Sequence, residues 1–135
     1  MTGGAVTGDA VTGDVVNLDH LAGKGVLVTG ASGFVGGDLL AALLADGRIA
    51  VRALVRRRGA LDDRFAEAGD ALETVVGDLA RPESLKGICE GIDSVFHCAA
   101  MGMAPSAAAA TQADYDRVNV AGSLALAREA LAGKV

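Results

Sequence analysis

The chain has 135 residues, 51% hydrophobic and 21% charged, with a net charge of −5. That length suits one domain with a single core, and the negative balance argues against nucleic acid or an anionic membrane surface as a partner. Aromatic residues make up only 3%, so Ala, Val and Leu must fill the core. Cys89 and Cys98 are the only cysteines. Without CxxC or Cys/His ligand spacing they suggest reduced thiols in the cytoplasm and no metal site. The first 20 residues hold no Lys or Arg, so no signal-peptide n-region is expected. No apolar run reaches the roughly 18 residues of a membrane span.

Residues 1–22 stand apart. Ala5-Val6-Thr7-Gly8-Asp9 repeats at once as Ala10-Val11-Thr12-Gly13-Asp14, with no helical period, and reads as a flexible tail. Residues 23–135 then alternate strands and helices. Val26–Thr29 is a short apolar run and a first buried strand. Phe34–Ala45 carries Val35, Leu39, Leu40, Leu43 and Leu44 at helical spacing and stops at Asp46-Gly47. Ile49–Val55 predicts a second strand, Leu61–Ala68 a short helix, and Leu72–Val76 a third strand. Pro82 opens a helix expected to reach Glu90. Asp93–Ala99 is the fourth strand. After a loop with Gly102 and Pro105, Thr111–Ala132 predicts one long helix with Val118, Leu124, Leu126 and Leu131 on its apolar positions.

Uniformly apolar strands separated by helices imply a parallel sheet covered on both faces. With right-handed crossovers the fold class is α/β, a Rossmann-type doubly wound parallel sheet in the order 3-2-1-4, truncated after its fourth strand and following helix. Ligands in such sheets bind where the strand order reverses, here between the first and fourth strands.

Thr29-Gly30-Ala31-Ser32-Gly33-Phe34-Val35-Gly36 fills that position. Glycine triplets arise easily by chance among 19 glycines. This one, however, follows a strand and opens a helix, the context in which it binds a dinucleotide. Gly30 suits the tight turn, Gly33 lets backbone N–H groups approach a pyrophosphate, and Gly36 lets the helix pack close. The helix N-terminus adds free N–H groups and the positive end of its dipole. Half of the 12 basic residues fall at Arg48, Arg52, Arg56, Arg57, Arg58 and Arg64, which predicts either a solvated loop or a local anion site.

These residues resemble the extended branch of the short-chain dehydrogenase/reductase superfamily, which includes NAD-dependent epimerases and dehydratases, dihydroflavonol-type reductases and 3β-hydroxysteroid dehydrogenase-like enzymes. Gly77-Asp78-Leu79, Val95-Phe96-His97-Cys98-Ala99-Ala100 and Val118-Asn119-Val120-Ala121-Gly122-Ser123 continue the match in order over about residues 24–133. The resemblance implies a cofactor site of Gly30, Ser32, Gly33, Phe34, Val35, Gly36, Arg56, Arg57, Asp78, Leu79, Ala99 and Ala100. Arg56 follows Gly36 by 20 positions, near the separation of the ribose-discriminating residue. With no acidic residue at that strand end, NADP is favoured over NAD, Arg56 first and Arg57 second. Asp78 would face the adenine amino group, or cap a turn, and Leu79 would pack on the ring. Ala99 and Ala100 would leave room for the cofactor ribose. Asn119 is either the helix asparagine of the catalytic proton relay or a packing residue. His97 reads as structural rather than as a catalytic base, and Cys98 as inert.

The superfamily's Tyr-x-x-x-Lys is absent. Tyr115, the one tyrosine, is followed four positions later by Asn119. The expectation is therefore the N-terminal, cofactor-binding part of an NADP(H)-dependent oxidoreductase, epimerase or dehydratase. The whole protein would act on a small molecule bearing a hydroxyl or carbonyl group. The chain alone is expected to lack turnover and to be a homodimer, marginally stable or poorly soluble, because its fourth strand is an open edge. A non-catalytic nucleotide sensor is the alternative. A methyltransferase is weaker, because Thr29 stands where that class carries an acidic residue.

Overall fold

The structure, a computed structural model, describes residues 16–102 and 109–135. The pentapeptide repeat and Pro105 lie outside the described residues. The elements are β1 (Gly25–Thr29), α1 (Phe34–Asp46), β2 (Ala50–Val55), α2 (Asp62–Phe65), β3 (Leu72–Val76), β4 (Ser94–His97), α3 (Gln112–Tyr115), a π-helical segment (Asp116–Gly122) and α4 (Ser123–Ala132). All strand pairs are parallel and the order is β3-β2-β1-β4, as the alternation of strands and helices requires.

Successive side chains of a strand point to opposite faces, and both faces are covered along β1 and β2, while β3 and β4, the edge strands, are only partly buried. Val26 and Val28 of β1 and Val51, Ala53 and Val55 of β2 pack with Leu40 and Leu43 of α1. Leu27 and Leu54 point the other way, into a cluster with Leu79, Leu85, Ile88, Cys89 and Leu126. Val35, expected on the buried face of α1, is exposed instead, because it lies in the first turn, beyond the sheet. The core also begins before residue 23. A 3-10 turn at Asp19–Leu21 buries Leu21 to 3% exposure against the first cluster.

The connections depart from the expected helices. Leu61–Ala68 contains only the single turn of α2, followed by a 3-10 stretch, Ala66–Ala71, bent at Gly69. The helix expected from Pro82 to Glu90 is a 3-10 turn, Pro82–Leu85, interrupted by Gly87. The Ser84 hydroxyl donates to the Arg81 carbonyl (2.6 Å) and accepts the Asp78 N–H (2.8 Å), and such local bonds compete with helix. β4 ends at His97, not Ala99: the Cys98 N–H still reaches the Thr29 carbonyl at 3.2 Å, but that of Ala99 donates to the Thr29 hydroxyl instead, at 3.1 Å. The long C-terminal helix is continuous in space but not in type, with the π-helical segment between its α-helical ends. Its start at Thr111 is fixed by a capping box. The Thr111 hydroxyl accepts from the Asp114 N–H, and the Asp114 carboxylate accepts from the Thr111 N–H at 2.9 Å.

Candidate functional site

The carboxyl ends of β1 and β4 meet at the glycine loop. Gly30 has φ 71°, a left-handed conformation that only glycine takes without strain. A Cβ there would lie 2.6 Å from the Ala99 nitrogen, so the exit of β4 passes directly over the loop. A Cβ on Gly36 would overlap the Gly30 carbonyl oxygen, and this close approach lets α1 start against the end of β1. The N–H groups of the first turn of α1 have no intrahelical acceptor. Ser32, Gly33, Phe34 and Val35 around them are solvent-exposed, Phe34 to 88%. The loop thus presents free donors and a helix dipole at the mouth of the crevice, a fit to a diphosphate.

The arginines do not form one cluster. Arg48 binds Asp46 (2.7 Å) and Asp19 (2.9 Å), and Arg64 binds Asp38 (2.6 Å). Arg52 binds Glu73 (2.8 Å) and the carbonyls of Ile88 and Glu90. Arg56, Arg57 and Arg58 follow the end of β2, are exposed, and make no ion pair among the described residues. The six arginines thus divide into three held by carboxylates and a triplet with no ion pair among the described residues, Asp62 and Asp63 included.

Asp78 follows β3. Its Oδ1 accepts the Ala80 N–H at 2.8 Å, so it caps a turn and has the second oxygen to spare. Leu79 does not stand free as a platform for a ring. It is 6% exposed and packed in the second cluster, with Gly122 held against its main chain. Ala99 is half-buried and Ala100 exposed.

Asn119, on the π-helical segment, grips the chain after β4. Its Oδ1 accepts the Met101 N–H at 2.7 Å and its Nδ2 donates to the Met101 carbonyl at 3.0 Å. Both polar atoms are thereby engaged, a positioning role. Sequence reasoning did not find what His97 does. Its Nδ1 lies 2.6 Å from the Thr29 hydroxyl and its Nε2 2.8 Å from the Ser123 hydroxyl, which donates to the Asn119 carbonyl at 2.7 Å. His97 is exposed as a whole, but desolvation on its Thr29 side lowers its pKa from the ordinary 6.5, and burial raises that of the Cys89 thiol. Among the described residues no cluster of metal-ligating side chains occurs, and no helix is long and apolar enough to cross a membrane.

A parallel 3-2-1-4 sheet with a glycine loop at its switch point defines a Rossmann-type nucleotide-binding domain. The profile of the NAD dependent epimerase/dehydratase family matches residues 26–135, and the chain belongs to that family. It is 44% identical over 108 residues to 4-hydroxy-2-methyl-3-oxo-4-farnesyl-3,4-dihydroquinoline-1-oxide ketoreductase of Stigmatella aurantiaca, covering 76% of this chain and 29% of that protein. To 3-beta-hydroxysteroid dehydrogenase of Mycolicibacterium neoaurum it is 43% identical over 76 residues, 56% of this chain and 19% of the other. The structure of DesIV, a dTDP-glucose 4,6-dehydratase from Streptomyces venezuelae with NAD and TYD bound, superposes with a TM-score of 0.67 at 27% identity, over 82% of this chain and 37% of DesIV. The chain thus spans less than a third of the length of either sequence relative.

Proposed function

We propose that this chain is the cofactor-binding part of an NAD(P)-dependent oxidoreductase, epimerase or dehydratase, with NADP(H) preferred over NAD(H). The glycine loop from Gly30 to Gly36 and the N–H groups of Ser32, Phe34 and Val35 would hold the pyrophosphate, while the Gly33 N–H closes the loop on the Gly30 carbonyl at 2.9 Å. The spare oxygen of Asp78 would take the adenine amino group, and Ala99 and Ala100 would lie along the ribose. The bound nicotinamide would supply or accept hydride. In the whole protein the substrate is a small molecule with a hydroxyl or carbonyl group, as the names of the ketoreductase and steroid dehydrogenase relatives suggest. These 135 residues contain no Tyr-x-x-x-Lys, so the chain alone has no turnover. Its two unpaired thiols suit the reducing cytoplasm.

The observation that carries the NADP preference is the free arginine triplet at the end of β2. A guanidinium can bind a phosphate through two parallel hydrogen bonds, and neither Arg56 nor Arg57 is committed elsewhere among the described residues. Replacing both with alanine should weaken NADPH binding roughly thirtyfold, the equivalent of about 2 kcal/mol for a lost charged contact, and leave NADH binding unchanged. Titration calorimetry with both nucleotides checks this. An unchanged NADPH/NADH ratio removes the case for NADP.

A further inference from the structure

The hydrogen bonds around His97 run in one direction. The Asn119 carbonyl can only accept, so the single Ser123 proton is spent on it (2.7 Å). Ser123 therefore accepts from His97, whose Nε2 must carry a proton (2.8 Å). At the other end the Ala99 N–H donates to the Thr29 hydroxyl (3.1 Å). In a neutral imidazole with its proton on Nε2, Nδ1 is an acceptor, and the Thr29 proton fills it (2.6 Å). Every donor meets an acceptor, from Ala99 through Thr29, His97 and Ser123 to Asn119. The same Asn119 holds Met101 through its side chain. The chain of bonds thus starts and ends on the segment leaving β4, the wall of the crevice that crosses Gly30.

We propose that neutral His97, in its Nε2–H tautomer, is a positioning residue for the cofactor, fixing the 98–102 segment against the phosphate loop. The inference rests on the nucleotide-binding reading of the crevice. A second proton on the ring would sit on Nδ1 and face Thr29. Thr29 would then accept twice, and its own proton would have no partner in a side chain that is 0% exposed. Charged groups on the surrounding elements are engaged elsewhere. Asp93 accepts from the Gly25 N–H, Asp116 from the Gln112 side chain, and Glu129 from the Gly87 N–H, while Arg117 pairs with Asp114. Arg128 is exposed. Burial alone lowers the ring's pKa, so the arrangement is complete above pH 6.5 and is lost as pH falls through the ring's own, lower value.

Two measurements on the 135-residue chain test the role. Long-range 1H–15N spectra of the imidazoles, assigned with a His20→Gln variant, should show His97 neutral at pH 7 with its proton on Nε2. An Nδ1–H tautomer or an imidazolium overturns the proposal without any ligand present. The second is NADPH titration. His97→Phe should bind about tenfold more weakly, as should Ser123→Ala, which keeps the ring and its packing but removes its acceptor. His97→Gln offers one acceptor and one donor and should retain most of the affinity. Wild-type binding should hold down to about pH 6.5 and weaken as the pH falls further, more steeply than that of His97→Gln. The titration of the 2′-phosphate is common to both profiles and cancels in the comparison. If the wild type binds and the variants match it in affinity and pH profile, the positioning role is overturned alone. If the wild type binds neither NADPH nor NADH, the nucleotide-binding reading falls, and the role with it.

Discussion

Gly36 shows how narrowly the loop is built. Its missing side chain is replaced by the Gly30 carbonyl, a backbone atom that cannot swing aside. Gly36→Ala should therefore push α1 away from β1. It is expected to cost about 1–3 kcal/mol, as overpacking does, and to abolish measurable NADPH binding. Chemical denaturation and nucleotide titration of the one variant check both halves, and retained binding at full stability would contradict the close approach. Ser32, one residue before Gly33, faces solvent, and its replacement by alanine should leave stability unchanged within about 0.5 kcal/mol.

Among the elements, β1 and β2 were legible as short apolar runs, which a strand buried on both faces needs, whereas β3 and β4 are partly exposed and were legible from their place in the alternation. The glycine loop was legible for a related reason: Gly33 and Gly36 act on Gly30, a few positions away, although the contact of Gly30 with Ala99 needs the fold. The short helices were not. Around Ser84 and Gly87 the side-chain hydroxyl and the glycine outweigh the helical start that Pro82 signals. The His97 network was illegible because its partners lie 68 and 26 positions away, and only the fold brings them together. Among the helix ends, the capping box at Thr111 gives a direct test. Hydrogen bonds from the Thr111 N–H and hydroxyl hold the Asp114 pKa below its ordinary 3.8. The stabilisation is fully present above pH 3.8 and is lost as the pH falls through the depressed value. Thr111→Ala should lower stability by about 1 kcal/mol at neutral pH and by less in acid, as unfolding curves at the two pH values would show.

The molecule as a whole leaves apolar surface uncovered. Among the described residues β4 pairs with β1 alone, which leaves its other edge unpaired there. On the C-terminal helix Val120, Leu124 and Leu131 are exposed, with Ala127 exposed between the two leucines, at spacings of three and four that make one continuous stripe. Exposed stripes of this kind mark association surfaces. The 135-residue chain is expected to self-associate at micromolar concentration, and Leu124→Lys with Leu131→Lys should shift it to monomer in light scattering or sedimentation. A monomeric wild type would mean that the stripe and the edge are tolerated in water.

The π-helical segment has a consequence of another kind. A turn bonded to the fifth residue takes up about one residue more than an α-turn, so Asp116–Gly122 stores a surplus residue between α3 and α4. Deleting exposed Val120 would let the segment close into ordinary α-helix. Leu126 would keep its place in the core, but Asn119 and Ser123 would no longer stand four apart, and the grip on Met101 and His97 would slip. The expected product melts like the wild type and no longer binds nucleotide. In this stretch the length of the chain is the instruction, and a single-codon deletion separates folding from binding.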